Sequence, residues 1–397
     1  MKRIILYLLA FAPLAAFAQL NGSGYYRVQN DYTKRYISVV DTRASIQASA
    51  TAAGNVNADL DALYMLKGFE EKVAFNPASI CFVETIGENS VNISGQGLDL
   101  YEKTGYLLYY SPIGDGYRIY GSYKGMAAKY LADDDLYADY QYEKEFHPNL
   151  NGVTQTMKWY IWPVDQSEHY FGVKPEITAT ADNSYWSTMY AGFPFKVSAS
   201  TTKMYRVSTV DNKLGVAVIS EITGNVPAQT PVLFRCTGAT PSDNKLTLLD
   251  PTTSATIGDN YLNGNYYCND VVANSDAKKN HRNVKVYNEN TMRILGVDSE
   301  GKPAFVKGNS SNLVVSTVES GKLLIPANKC FLAVSSTAPD VLKIMTEAEY
   351  ETYVTGIEQI TTSTTDGAKV IYDLQGRRVQ TPSKGLYIVN GKKMIIR

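Results

Sequence analysis

Gly24-Tyr25-Tyr26-Arg27-Val28-Gln29-Asn30 and Arg35-Tyr36-Ile37-Ser38-Val39, separated by a polar turn, decide the fold class of this chain. Aromatic and β-branched residues alternate with polar ones, which predicts two short strands around the turn. A related phrase recurs at 116–132: Gly116-Tyr117-Arg118-Ile119-Tyr120, a Gly-containing connector, then Lys129-Tyr130-Leu131-Ala132. Between the two phrases, Ile80-Cys81-Phe82-Val83 and Ser90-Val91-Asn92-Ile93-Ser94 form another alternating pair. After them comes Trp159-Tyr160-Ile161-Trp162-Pro163-Val164, a strand that Pro163 ends. Short strands with a weak internal repeat predict a closed or pseudo-threefold all-β module.

The phrases at 24–39 and 116–132 resemble the opening strands of ricin-type β-trefoil lectin repeats. That resemblance implies a trefoil over residues 19–166. The Gln-x-Trp signature of the family is absent, so its sugar-binding residues are not carried over. One insertion stands out. Leu60, Leu63, Tyr64, Leu66, Lys67 and Phe69, with Asp59 or Asp61 near the start, fall at near-helical spacing and predict an amphipathic helix over 57–75.

From 167 to 345 the texture changes to strands broken by Gly, Asn, Asp and Pro. Met204–Val210 and Leu214–Ile222 flank Asp211-Asn212-Lys213 as a hairpin, and Thr291–Val297 and Pro303–Lys307 flank Asp298-Ser299-Glu300-Gly301 as another. An echo runs through this region. Val226-Pro227-Ala228-Gln229 leads into Pro231-Val232-Leu233-Phe234, and Ile325-Pro326-Ala327-Asn328 leads into Cys330-Phe331-Leu332-Ala333. These phrases resemble a β-sandwich module common in secreted Bacteroidetes proteins, one that carries no assigned activity. Beyond it, Met345–Tyr353 reads as a short helix, and Gly356–Gly367, with five Thr or Ser, reads as linker in the segment 346–366. The expected architecture is mainly β: a trefoil-like first domain with a helical insertion, a sandwich-like second domain and a short β tail.

The first 18 residues have the three parts of a secretory signal: Lys2 and Arg3, an apolar run from Ile4 to Phe17, and Ala16-Phe17-Ala18 before Gln19. Cleavage is expected between Ala18 and Gln19. The apolar run is too short for the roughly 20 residues that span a bilayer, so no transmembrane segment is expected in the mature chain. Export places Cys81, Cys236, Cys268 and Cys330 where disulfides can persist, and four cysteines allow three pairings that sequence cannot distinguish from four buried thiols.

The last 31 residues carry a different charge. Residues 367–397 hold seven basic residues against Asp373 alone, a net of +6, while 19–366 hold 29 basic and 38 acidic residues, a net of −9. Val370–Leu374, Arg377–Val379, Gly385–Val389 and Lys392–Ile396 read as strands. Asn390-Gly391 is a strong hairpin signal, because both central residues must tolerate positive φ. The phrase from Val370 to Arg397 resembles the C-terminal sorting domain of the type IX (Por) secretion system. Tyr372, Asp373, Gly376 and Arg377 match its first strand pair, Gly385 and Tyr387 its later strand, and Lys392 and Lys393 its Lys-rich end. The resemblance implies recognition by secretion machinery, passage across the outer membrane and an extracellular or cell-surface destination.

Whole-chain charge, −1, gives no footprint for nucleic acid. His147, His169 and His281 are the only histidines, a thin supply of groups for proton exchange, and no H-E-x-x-H, G-x-S-x-G, P-loop or G-x-G-x-x-G motif occurs. No catalytic residue, metal ligand or cofactor is therefore assigned. Asp133-Asp134-Asp135 lacks the spacing of a calcium loop and reads as a solvated turn. Tyrosine is more informative: 11 of the 30 fall between 101 and 142. Tyr109, Tyr110, Tyr117, Tyr120 and Tyr123 are the candidate ligand surface, because a flat ring with a hydroxyl at its edge suits sugar rings and protein interfaces. The expected function is non-catalytic binding of a glycan or host protein. The alternatives are a carbohydrate-active hydrolase using dispersed carboxylates and a structural adhesin or surface component.

Overall fold

The computed structural model describes residues 20–40, 63–96, 98–99, 106–123, 129–131, 133, 141–143, 146–147, 156–165, 167–198, 201–268, 284–317, 319–361, 371–374, 376–389 and 392–396, some of them by backbone alone. The chain is mainly β, in several sheets. The expected cleavage site at Ala18 and Gln19 lies outside the described residues.

In the first domain six strands each pair antiparallel with the next: Gly24–Asn30, Cys81–Gly87, Ser90–Gly95, Tyr106–Ile113, Gly116–Tyr123 and Trp159–Pro163. The last runs back along the first, from Tyr26 opposite Pro163 to Asn30 opposite Trp159, so the ring closes. Closure removes the open edges that a sheet of this length would otherwise expose. Alternation decides what fills it: Tyr26, Val28, Cys81, Val83, Val91, Ile93, Leu108, Ile119, Trp159 and Ile161 form one buried cluster. Trp159 is fully buried, and its indole N–H donates to the Leu131 carbonyl at 2.9 Å, which removes the cost of an unpaired donor.

The helix expected over 57–75 does not form where the chain is described. Leu63–Leu66 is a strand paired with Tyr36–Val39, and only Phe69–Val73 makes a single wide helical turn; 57–62 lie outside the described residues. Gly68, at φ 83°, breaks any helix that would join the two. The apolar spacing serves both elements: Leu66, Phe69 and Val73 close over Tyr36 and Trp162 as a small second core.

The second domain is an internal duplication. One ten-stranded sheet holds two copies of the same four-strand unit. In the first, Ser184–Met189 pairs with Val232–Cys236, which pairs with Lys203–Asp211, which forms a hairpin with Val216–Ile222. In the second, Leu262–Asn265, Lys329–Ala333, Met292–Val297 and Pro303–Val306 repeat that order. Val341–Thr346 joins the halves, parallel to Val216–Ile222 and antiparallel to Pro303–Val306. Inward residues from both halves, among them Val207, Ile219, Leu233, Leu295, Phe305, Leu332 and Leu342, share one core, so the sheet curls over on itself. A three-stranded sheet of Phe171-Gly172, Lys245–Leu248 and Phe195–Val197 covers another core rich in phenylalanine.

The echo in sequence marks equivalent turns. Gln229 and Asn328 both adopt the left-handed region, at φ 61° and 59°. Each turn also bonds the segment Tyr190–Ala191: the Gln229 N–H donates to the Ala191 carbonyl, and the Tyr190 N–H donates to the Asn328 carbonyl, both at 2.9 Å.

The helix predicted at 345–353 runs instead over Glu347–Thr361, so Gly356–Thr361 belongs to it rather than to a linker; 362–370 lie outside the described residues. Thr346 and Glu349 cap its start reciprocally, with Thr346 N–H to Glu349 Oε2 at 2.7 Å. Its threonines do not act as breakers, because Thr352 and Thr355 return their hydroxyls to the Ala348 and Glu351 carbonyls. The tail forms its own four-stranded sheet from Ile371-Tyr372, Arg378-Val379, Gly385–Val389 and Lys392–Ile396. No helix among the described residues is long and apolar enough to cross a membrane.

Candidate functional site

The hairpin Tyr106–Ile113/Gly116–Tyr123 carries all five candidate tyrosines, and its register separates them. Tyr109 stands opposite Tyr120, whereas Tyr110 stands opposite Ile119 and Tyr117 opposite Pro112. Leu108 and Ile119 are buried in the barrel, so the face that holds them is the inner one. Tyr110 and Tyr117 share that face, half-buried against the core and edge to face with centroids 5.6 Å apart. Their hydroxyls are spent within the chain: Tyr110 donates to the Glu88 carbonyl, and Tyr117 accepts from the Leu20 N–H. The single ligand surface of five tyrosines is therefore corrected, because strand alternation turns two of them inward. Tyr123 ends its strand, and its side chain lies outside the described residues.

Tyr109 and Tyr120 occupy the outer face. Their rings stack at 5.6 Å with an interplanar angle of 21°. The next cross-strand pair on that face is Ser111 opposite Arg118. Arg118 Nε is shielded from solvent and has no hydrogen-bond partner among the described residues. A stacked aromatic pair with a guanidinium residue on the same face offers a flat surface and a cationic group, a pairing suited to flat polar ligands.

A second aromatic group was missed in the sequence, where Trp159–Val164 gave only a strand. Tyr160 and Trp162 project from that strand on the side away from Trp159 and Ile161. Trp162 stacks on His169 at 4.6 Å and 9°, and His169 meets Phe69 edge to face. Beneath them Arg27 is completely buried. It donates to the carbonyls of His169, Val73 and Ala74 and to the Ser79 hydroxyl, and burial holds its pKa down at about 9. Burial, and then the Arg27 charge, depress His169 to about 4, which leaves its ring neutral near pH 7. This group is a structural clamp between the barrel and the second domain, since its rings face one another. The signal for it was Trp and Tyr at i and i+2 on one strand.

The other sequence-derived sites separate in the same way. Asp133, read as part of a solvated turn, is fully buried and ion-paired with Arg35; Asp134 and Asp135 lie outside the described residues. His147 lies on a strand described by backbone alone, and His281 lies outside the described residues. Cys81, Cys236 and Cys330 are thiols in three different cores, each raised to about 12 by burial, while Cys268 is half-exposed.

In the tail, Asp373 organises the motif. Its carboxylate accepts from the Arg377 N–H and pairs with the Arg377 guanidinium at 2.8 Å, while Gly376 takes φ 81°. Tyr372 pairs with Arg378 and with Ile388, so one short strand carries both neighbours. Gly385 and Tyr387 lie on the strand hairpinned to Lys392 and Lys393. Comparison of the chain with protein-family models, with curated proteins and with solved structures found no match to any of them.

Proposed function

We propose that this is an exported, non-catalytic glycan-binding protein, with the ligand held on the outer face of the barrel hairpin. The observation that carries this reading is the stacked Tyr109–Tyr120 pair on the outer face of the hairpin, with Arg118 on the same face. Sugar rings present C–H faces that rest on aromatic rings, and their hydroxyls accept from guanidinium N–H groups. The six-strand closed ring, with the shorter strands attached outside it, supports the trefoil reading of this domain. The resemblance of the tail to a type IX sorting domain, together with the signal-like first 18 residues, supports export to the cell surface or beyond.

A glycan array with the mature chain tests this reading. Binding without turnover, lost in Tyr109→Ala and Tyr120→Ala, supports it. Hydrolysis of a bound glycan, or binding that both variants retain, overturns it.

A further inference from the structure

The two β domains enclose a second site, unrelated to the tyrosine hairpin. A cavity of about 160 Å³ opens where the segment Phe75–Pro77 of the first domain faces the second. Its apolar lining comes from Phe75 and Pro77 on one side and Val173 and Met189 on the other. Two lysines line it, Lys174 and Lys329. They are not equivalent.

Lys329 Nζ lies 3.0 Å from Glu176 Oε1 and also reaches the Ser187 hydroxyl and the Thr188 carbonyl. Glu176 Oε1 in turn accepts from the Thr188 and Ser187 hydroxyls, at 2.8 and 3.1 Å. This charge is neutralised and fixed. Lys174 makes no ion pair among the described residues. Its ammonium sits 4.9 Å from the centroid of the Phe75 ring, held across the domain boundary by the ring's negative face. The cavity mouth therefore carries one exposed ammonium with no ion pair among the described residues, beside the apolar part of the lining. An apolar cavity of about 150 Å³ accommodates a benzene ring.

The geometry points to a binding site for a small carboxylate, its compact body between Phe75 and Met189 and its anionic group at Lys174. Because residues of both domains line the cavity, occupancy ties the domains together. The site stands independently of the glycan-binding reading.

Benzoate is the probe, followed by isothermal titration and by backbone amide shifts of the full mature chain. Binding with a Kd on the order of 1 mM is expected for so small a ligand. Benzamide, matched in shape but neutral, should bind at least about tenfold more weakly. Lys174→Met should lose a similar factor and Lys174→Arg should restore it, while Ala327→Trp, at an exposed lining position, should fill the cavity and abolish binding. Tyr109→Ala should leave benzoate binding unchanged. Absence of benzoate-induced shifts at the lining residues overturns the site, as does equal binding by Lys174→Met, by Ala327→Trp or of benzamide. Glucuronate and glycyl-phenylalanine, run as competitors, separate a sugar acid from a peptide terminus. Competition by either supports the site and names the source of the carboxylate.

Discussion

Arg35 and Asp133, 98 residues apart in the chain, form a bidentate ion pair from which solvent is excluded, their side chains 1% and 0% exposed. The Thr33 hydroxyl bonds the same carboxylate, and the Asp133 N–H donates to the Thr156 carbonyl, which also accepts from Asn30 Nδ2. The first turn of the domain is thereby fastened to the segments that precede its last strand. Breaking a buried pair leaves one charge stranded, so Asp133→Ala should cost about 3–5 kcal/mol in denaturant unfolding of the mature chain. The double variant Arg35→Met/Asp133→Leu should recover most of that loss. A single variant within about 0.5 kcal/mol of the parent contradicts the burial of the pair.

The candidate tyrosines divide by face, and substitution should divide them by phenotype. Tyr109→Ala and Tyr120→Ala should abolish glycan capture with little change in melting temperature. Tyr110→Ala and Tyr117→Ala, which remove rings from the core, should each cost about 2 kcal/mol or more. Equal destabilisation by all four would remove the distinction between outer and inner faces.

His169 gives the molecule an acid sensitivity. Its folded pKa of about 4 lies below the ordinary 6.5, because burial and the Arg27 charge disfavour the imidazolium. The unfolded chain therefore binds the proton more readily, so stability is undiminished above pH 6.5 and falls as pH drops from 6.5 towards 4. With partial exposure allowed for, the loss is on the order of 1–2 kcal/mol. Thermal melts of the parent and His169→Gln between pH 7 and 4.5 should show a steeper decline for the parent; parallel curves would exclude His169 as the source.

Gln229 holds a left-handed conformation without the usual glycine. Gln229→Gly should raise stability by roughly 0.5–1 kcal/mol, since the left-handed region strains a residue with a Cβ. Asn328→Gly should gain less, because Asn328 Nδ2 donates to the Tyr190 carbonyl at 2.9 Å and that bond is lost. Denaturant midpoints of the two variants compare the equivalent turns directly.

Removal of 367–397 should leave both β domains folded, because among the described residues the tail's four strands pair only with one another. The truncated protein should accumulate in the periplasm of a type IX-secreting host. Its arrival at the cell surface, measured by protease shaving, would contradict the sorting role.

Local pattern determined a great deal of this protein. Both second-domain hairpins, the duplicated Pro-Ala-Gln and Pro-Ala-Asn turns and the tail strands were legible, because each depends on residues within a few positions of one another. The same is true of Asp373 and Arg377, whose bond spans four residues. Tertiary structure decided what required a distant partner. Leu63–Leu66 has apolar spacing compatible with a helix, and it became a strand because Tyr36–Val39 offered an open ladder. Asp133 has the composition of a solvated turn, and it is buried because Arg35 meets it. Tyr109 and Tyr110 are adjacent and chemically identical, yet one stacks outside and the other lines the barrel. Sequence supplied the alternation between them, but only barrel closure fixed which face was the inside.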